Sequence, residues 1–246
     1  MFLRKRFALA PLVVMMLAAI IMTGTAFGAT LNEIRIDQPS TDNDEYVELA
    51  GTSGESLAGV WLLTIGDGTG GSGVVETALD LSPYSIQADG VLLLVEDTFT
   101  LPCGTADFSV GTSLNFENSD NLTFLLVTNF TGAAGDDIDT NDDGIIDNVL
   151  WTSIVDDVAL LETVGSGDLV YSTNTVGPDG TFVPGHVAYI GGAWQIGNFE
   201  TCLAGETPGD PNGGPILQVP DVDNVLYRPI LPIPGEAVTV TADATD

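Results

Sequence analysis

The chain has 246 residues, of which 35 are Asp or Glu and five are Lys or Arg, so its formal charge is −30 with its one histidine neutral. A surface this acidic repels phosphate backbones and anionic lipid, which argues against nucleic acid as a partner and favours divalent cations. A hydrophobic content of 44% sets it apart from disordered acidic tails, because that is enough apolar side chain to build a core.

Residues 1–28 read as an export leader. Arg4, Lys5 and Arg6 precede an apolar run from Phe7 to Met22, and Gly24 to Gly28 make a small-residue exit. The run is shorter than the ~20 residues a spanning helix needs, so cleavage after Gly28 is expected, with a retained membrane anchor as the alternative. No later stretch is long and apolar enough to span a membrane. Three of the five basic residues and none of the acidic ones lie in the leader. The exported chain therefore keeps Arg35 and Arg228 against 35 acids, a formal charge of −33, and no lysine. A bacterial extracellular location, secreted or on the cell surface, is expected.

From Leu31 onward, short apolar segments alternate with Gly, Asp, Ser and Pro. Leu31–Asp37, Tyr46–Leu49 and Val60–Ile65 read as strands, with Gly66–Gly73 as a glycine-rich hairpin loop. Val74–Val75 and Ala78–Leu81 suggest one more strand, and Val91–Val95 and Leu122–Val127 are apolar enough to be central ones. Val158–Leu161, Leu169–Tyr171, Val187–Ile190 and Trp194–Ile196 are weaker strands. Residues 151–161 also fit a short helix, since Ile154, Val155, Val158 and Ala159 fall at helical offsets. Many short strands with frequent turn signals indicate an all-β sandwich or barrel, one domain over residues 29–213. Cys103 and Cys202 suit a disulfide in an oxidising exterior, closing a loop of about 100 residues. Two buried thiols remain the alternative, because spacing does not show that the two sites meet.

Between two of these strands lies Asp139-Thr140-Asn141-Asp142-Asp143-Gly144-Ile145-Ile146-Asp147, which has the pattern D-x-N-x-D-G-x-x-D. Asp139, Asn141 and Asp143 place side-chain oxygens at loop positions 1, 3 and 5. Gly144 stands where the chain must turn sharply, Ile145 offers a backbone carbonyl, and Asp147 offers a further oxygen at position 9. Ca²⁺ takes six to eight such hard oxygen ligands. Position 12 is Leu150, where an EF-hand has a bidentate Glu. The loop resembles instead the calcium loops of dockerins and thrombospondin type 3 repeats. The competing reading is a solvated acidic turn.

Beyond the sandwich, residues 214–234 form a proline-rich linker carrying Pro215, Pro220, Pro229, Pro232 and Pro234. Pro234-Gly235-Glu236-Ala237-Val238-Thr239-Val240 resembles the start of a bacterial immunoglobulin-like repeat, so residues 235–246 are expected to be the truncated start of a second module. Its alternating strand, Glu236–Ala242, has no expected partner.

Three segments together resemble a bacterial lamin-tail-type domain. They are Leu31-Asn32-Glu33-Ile34, Asp44-Glu45-Tyr46-Val47-Glu48-Leu49, and Ser56-Leu57-Ala58-Gly59-Val60-Trp61-Leu62-Leu63. Thr207-Pro208-Gly209-Asp210-Pro211-Asn212 is similar to the closing motif of that family, so the resemblance covers residues 31–212. It implies an immunoglobulin-like sandwich. Gly51–Gly54 departs from the family's Asn-based turn, and the calcium-type loop is an insertion.

Little catalytic chemistry is legible. His186 is the only histidine and the only base a Ser-His-Asp site could use. Schiff-base chemistry is excluded without lysine, and histidine zinc sites and phosphate-cradling motifs are absent. Among 35 acids some pair always falls at a convenient spacing, so paired carboxylates carry no signal. The expectation is a non-catalytic, calcium-stabilised structural or adhesion module whose partner is a carbohydrate or a surface protein. The alternative is an N-terminal accessory domain of an extracellular nuclease or phosphatase.

Overall fold

The computed structural model describes residues 28–68, 71–165, 169–203, 205–213, 226–228 and 239–241. The leader up to residue 27 and most of the proline-rich linker lie outside the described residues. The main body consists of β1 (Thr30–Arg35), β2 (Tyr46–Ala50), β3 (Val60–Gly68), β4 (Gly71–Asp80), β5 (Val91–Val95), β6 (Phe108–Ser109), β7 (Leu122–Thr128), β8 (Ser153–Leu160), β9 (Thr175–Val176), β10 (His186–Ile190) and β11 (Ala193–Ile196). They form an all-β sandwich. One sheet has the order β11-β10-β1-β2-β5-β6, and the other β4-β3-β7-β8-β9. The two-residue strands β6 and β9 run parallel to β5 and β8; the other pairings are antiparallel.

The strands are apolar on both faces, and that governs the architecture. Every residue of β5 and of β7 is buried. Between the sheets, Ile34, Val47, Leu49, Leu92 and Leu94 meet Leu62, Phe124, Leu126 and Val158. The alternating residues face outward and form separate clusters. Leu63, Ile65, Leu125 and Val127 pack with Phe130, Ile138 and Tyr171, while Tyr46, Leu93 and Val95 pack with Leu101. Leaving such side chains in water would forfeit roughly 1.5–3 kcal/mol apiece. Each sheet therefore has an outer cover made from loop segments.

The cover of the first sheet is largely polar. A bulge between Leu31 and Glu33 lets both Leu31 and Ile34 face the core and leaves Glu33 and Arg35 on the outer side. There Glu33 accepts from Tyr46 Oη at 2.5 Å, His186 Nε2 at 2.9 Å, and Thr207 N and Oγ1 at 3.0 and 2.9 Å. Arg35 Nε donates to Glu206 Oε1 at 2.7 Å, and its remaining N–H groups reach the carbonyls of Asp37, Phe199 and Asn198. Glu48 accepts from Asn32 Nδ2 at 2.6 Å and from Gly209 N at 2.7 Å. All of these acids, with Arg35 and His186, are buried. Cys103 and Cys202 are bridged, with Cα atoms 5.4 Å apart, and this staples the same cover to the segment after β5.

Several elements depart from expectation. Of the two readings of residues 151–161 the strand holds, longer than expected, and the helix does not form. Ser153–Leu160 is strand β8, paired with β7 along its length, because that ladder satisfies its backbone and buries Val158 and Leu160. Most of the glycine-rich stretch is strand rather than loop: β3 and β4 stay paired as far as Gly68 and Gly71. Leu169–Tyr171 is irregular, the Tyr171 N–H donating to Thr123 Oγ1 at 3.1 Å instead of to a strand partner. The segment near the C-terminus is also partnered, contrary to expectation. Its strand β13 (Thr239–Thr241) pairs antiparallel with β12 (Leu226–Arg228), which arises within the proline-rich stretch where Leu-Tyr-Arg is free of proline.

Burial, and then repulsion from Glu33, push the Glu48 carboxyl up to about 8 despite its hydrogen bonds from Asn32 and Gly209. Burial likewise pushes Glu45 up to about 8. Above the ordinary value of 4.5 and below about 8, each group is protonated when folded and ionised when unfolded. The native state then binds more protons, so stability falls as pH rises through this window. The melting temperature is expected to be highest near pH 5 and several degrees lower at pH 8.5, at roughly 2–4 °C per kcal/mol. Glu48→Gln is expected to flatten part of that slope. A melting temperature unchanged across the range contradicts the assignment.

Candidate metal centre

The cover of the second sheet is the segment between β7 and β8. Phe130, Ile138, Ile146, Leu150 and Trp151 from this segment pack on the outward residues of β3 and β7. It also extends the sheet edge. Val75 N donates to Asp136 O at 2.8 Å, Gly135 N to Val75 O at 2.7 Å, and Ile138 N to Gly73 O at 2.9 Å. The D-x-N-x-D-G run follows directly from this docking.

Within the run, short acceptor side chains turn the backbone by taking the N–H two residues ahead. Asp137 Oδ1 accepts from Asp139 N at 2.9 Å, Asn141 Oδ1 from Asp143 N at 3.2 Å, and Asp143 Oδ1 from Ile145 N at 2.9 Å. Gly144 has φ +82°, the left-handed conformation that penalises a Cβ. Asp139 is the anchor and is fully buried. Its Oδ2 accepts from Gly144 N at 2.7 Å and Tyr171 Oη at 2.9 Å, while Oδ1 receives a longer contact from Asp143 N at 3.3 Å. Burial alone would raise the Asp139 carboxyl; the hydrogen bonds from Gly144, Tyr171 and Asp143 outweigh it and hold the group below its ordinary value. Burial, and then the bond to Asp139, raise the Tyr171 hydroxyl, so it stays a proton donor.

Asp139, Asn141 and Asp143 are thus wound around one turn. Asn141 and Asp143 are exposed, as is Ile145, whose side chain leaves its carbonyl as the group of interest. Asp147 folds back across the loop onto Thr140, accepting from Oγ1 at 2.8 Å and from N at 3.3 Å. Among the described residues, the close group of sulfur and carboxylate donors is Cys103, Cys202 and Glu206, whose sulfurs are already joined to each other. The carboxylates of Asp139, Asp143 and Asp147 do not close into such a group. The donor set itself is all oxygen and suits a hard cation.

Three supporting residues were not foreseen. Tyr171 comes from the irregular stretch before β9 and carries no local signal. Gly71 and Gly73 sit at φ +113° and +90°, and a Cβ on either would press into Asp142 or Asp139. Glycines alternating within a strand mark such a close approach. His186, on β10 of the other sheet, is turned toward that sheet's outer cover. No helix among the described residues is long and apolar enough to cross a membrane. Compared with protein-family models, curated proteins and solved structures, the chain matches none.

Gly73→Ala would set a Cβ 2.8 Å from Asp139 Cβ and 2.9 Å from Tyr171 Oη, whereas Gly135, also at positive φ, faces open space. Gly73→Ala is therefore expected to cost about 1–3 kcal/mol more than Gly135→Ala in chemical denaturation, the usual range for overpacking. Equal losses would mean that backbone strain alone matters and the loop is not seated on β4.

Proposed function

We propose that this chain is a non-catalytic extracellular module, secreted or held at the cell surface, whose second-sheet cover is a calcium loop. Asp139, Asn141 and Asp143 side chains, the Ile145 carbonyl and Asp147 would hold the ion. The observation that carries this reading is Asp139, a buried carboxylate at loop position 1 held by Gly144 N and Tyr171 Oη on Oδ2 at 2.7 and 2.9 Å, by a longer bond from Asp143 N to Oδ1, and by the Asn141 amide. An Asp fixed in this way is preorganised as a ligand for a cation. Asp147 would have to exchange at least one Thr140 contact for the ion.

The likeness to lamin-tail-type, immunoglobulin-like domains is supported by how its motif pieces meet. Glu33 and Glu48 from the two opening motifs bind the backbone of Thr207 and Gly209 from the closing one, and Asn212 returns to the Asn32 carbonyl at 2.7 Å. A non-catalytic role is supported by His186, which is buried against Glu33 and gives no substrate access to its ring. A structural or adhesion role is supported by an acidic body whose two loop covers are fastened onto the sheets, one of them by a disulfide.

The test is a thermal melt with calcium, magnesium and sodium arms. Binding to the folded state alone adds RT ln(1 + [L]/Kd), about 2.7 kcal/mol at a hundredfold excess over Kd. Millimolar Ca²⁺ is expected to raise the melting temperature by several degrees, and Mg²⁺ to do less because it demands near-octahedral geometry. Asp143→Ala, at an exposed position, is expected to abolish most of the calcium effect and leave the NaCl effect in place. If the variant responds to Ca²⁺ as the wild type does, the loop is an acidic turn and nothing more.

A further inference from the structure

On one side of the sandwich the edge strand β11 of one sheet approaches the edge strand β9 of the other. An open cleft of about 500 Å³ lies there, lined by Asp156, Asn174, Tyr189 and Trp194 with Thr173 and Thr175. We infer that this cleft is a binding site for a neutral saccharide. The inference rests on reading the chain as a binding module rather than an enzyme. It does not rest on the calcium loop, which covers the outer face of the second sheet.

The size suits a ligand of one or two sugar rings, within the range of small-molecule sites. The aromatic part of the cleft is built rigidly. Tyr189 and Trp194 face each other across the β10–β11 pairing, and their rings meet edge to face at 5.6 Å and 66°. Gly191 and Gly192, both at positive φ, close that hairpin in two residues. Trp194 is partly buried against the central core, while Tyr189 stays 42% exposed. An aromatic ring held in this way offers a flat apolar face to the axial C–H groups of a pyranose and costs little conformational entropy on binding. A sugar needs such a face, because its own two faces are less polar than its rim of hydroxyls.

The polar part is fixed just as firmly. Asp156 Oδ2 accepts from Leu31 N at 2.8 Å and its Oδ1 from Asp157 N at 3.0 Å, so the backbone sets the carboxylate's position and each oxygen keeps a lone pair for a hydroxyl. The Asn174 amide nitrogen lies toward Asp157 O and Oδ1, at 3.3 Å from each, which turns its carbonyl oxygen the other way. With Asp156, Asn174, Thr173 and Thr175 beside an aromatic pair, the lining supplies the mix of donors and acceptors that vicinal sugar hydroxyls require. The lining contains no basic side chain. With the chain's strong negative charge, this disfavours uronic, sialylated, sulfated or phosphorylated sugars.

The experiment titrates the full chain, in saturating calcium, with neutral gluco-, manno-, xylo-, galacto- and chito-oligosaccharides, read by calorimetry and tryptophan fluorescence. At least one is expected to bind. Trp194→Ala and Asn174→Ala are each expected to weaken it by about tenfold or more, and Trp194→Phe to keep most of the affinity. Asn174 is exposed, so its variant tests the cleft even if Trp194→Ala fails to fold. The inference is overturned if no neutral oligosaccharide binds at millimolar concentration, if binding survives both alanine variants, or if anionic sugars or an extended peptide bind in preference. Cleavage of the bound oligosaccharide would overturn the non-catalytic reading and leave the cleft standing. A calcium-insensitive melt with sugar binding intact would remove only the calcium loop.

Discussion

Glu33 holds a position that few carboxylates can occupy. It lies inside the protein, on a strand flanked by two others, and its charge is met by donors from three separate pieces of chain. Tyr46 comes from β2, His186 from β10, and Thr207 contributes both its amide and its hydroxyl from the final cover. Losing one partner of a buried charge of this kind typically costs about 3–5 kcal/mol, because the remaining charge stays desolvated. Arg35, two residues along, applies the same logic with opposite sign to Glu206. The first sheet and the segment above it are thus tied together by electrostatics that operate only when both are in place.

The second sheet achieves the same end by other means. Its cover is chiefly apolar, with Phe130, Ile138 and Tyr171 on the strands, and a single buried acid, Asp139, organises the turn that follows. In both covers a carboxylate takes backbone N–H groups from a segment without regular structure. Such a segment cannot satisfy its own donors as a helix or sheet does, and an acidic side chain supplies several acceptors at once. This accounts for part of the chain's acidity in structural terms: some of the acids serve as internal fasteners as well as surface charge.

How much of this could be read beforehand depended on how local the physics was. Val91–Val95 and Leu122–Val127 were legible as central strands because a run with no polar face needs cover on both sides wherever it lies. The turn at Gly144 was legible because D-x-N-x-D-G sets the backbone by contacts within six residues. β8 was ambiguous because Ile154, Val155, Val158 and Ala159 satisfy a helical spacing as well as a strand, and only the ladder with β7 decides between them. The buried acids were not legible at all. Arg35 and Glu206 are 171 residues apart, and Glu33 reaches Thr207 across 174. Nothing near an acid in sequence tells whether it will be solvated or enclosed. Gly71 and Gly73 looked like loop for a related reason: what they make room for, Asp142 and Asp139, arrives from another part of the chain. Tyr189 and Trp194 fell in two expected strands, but their pairing, and their place in a cleft with Asp156 and Asn174, needed the fold.

The long reach of the first cover has a kinetic consequence. β1 is made near the start of the sandwich, yet its neighbour β10 and the residues that neutralise Glu33 and Arg35 come last. Until they arrive, β1 presents a charged face and an unpaired edge, so the first sheet cannot finish early and wait. Contacts of such sequence separation make folding slow, since loop-closure entropy must be overcome before they reward it. The same arrangement works in reverse once the chain is folded. Lifting the last segment would expose two buried charges and strand edge together, which makes local opening costly and should favour a long-lived native state.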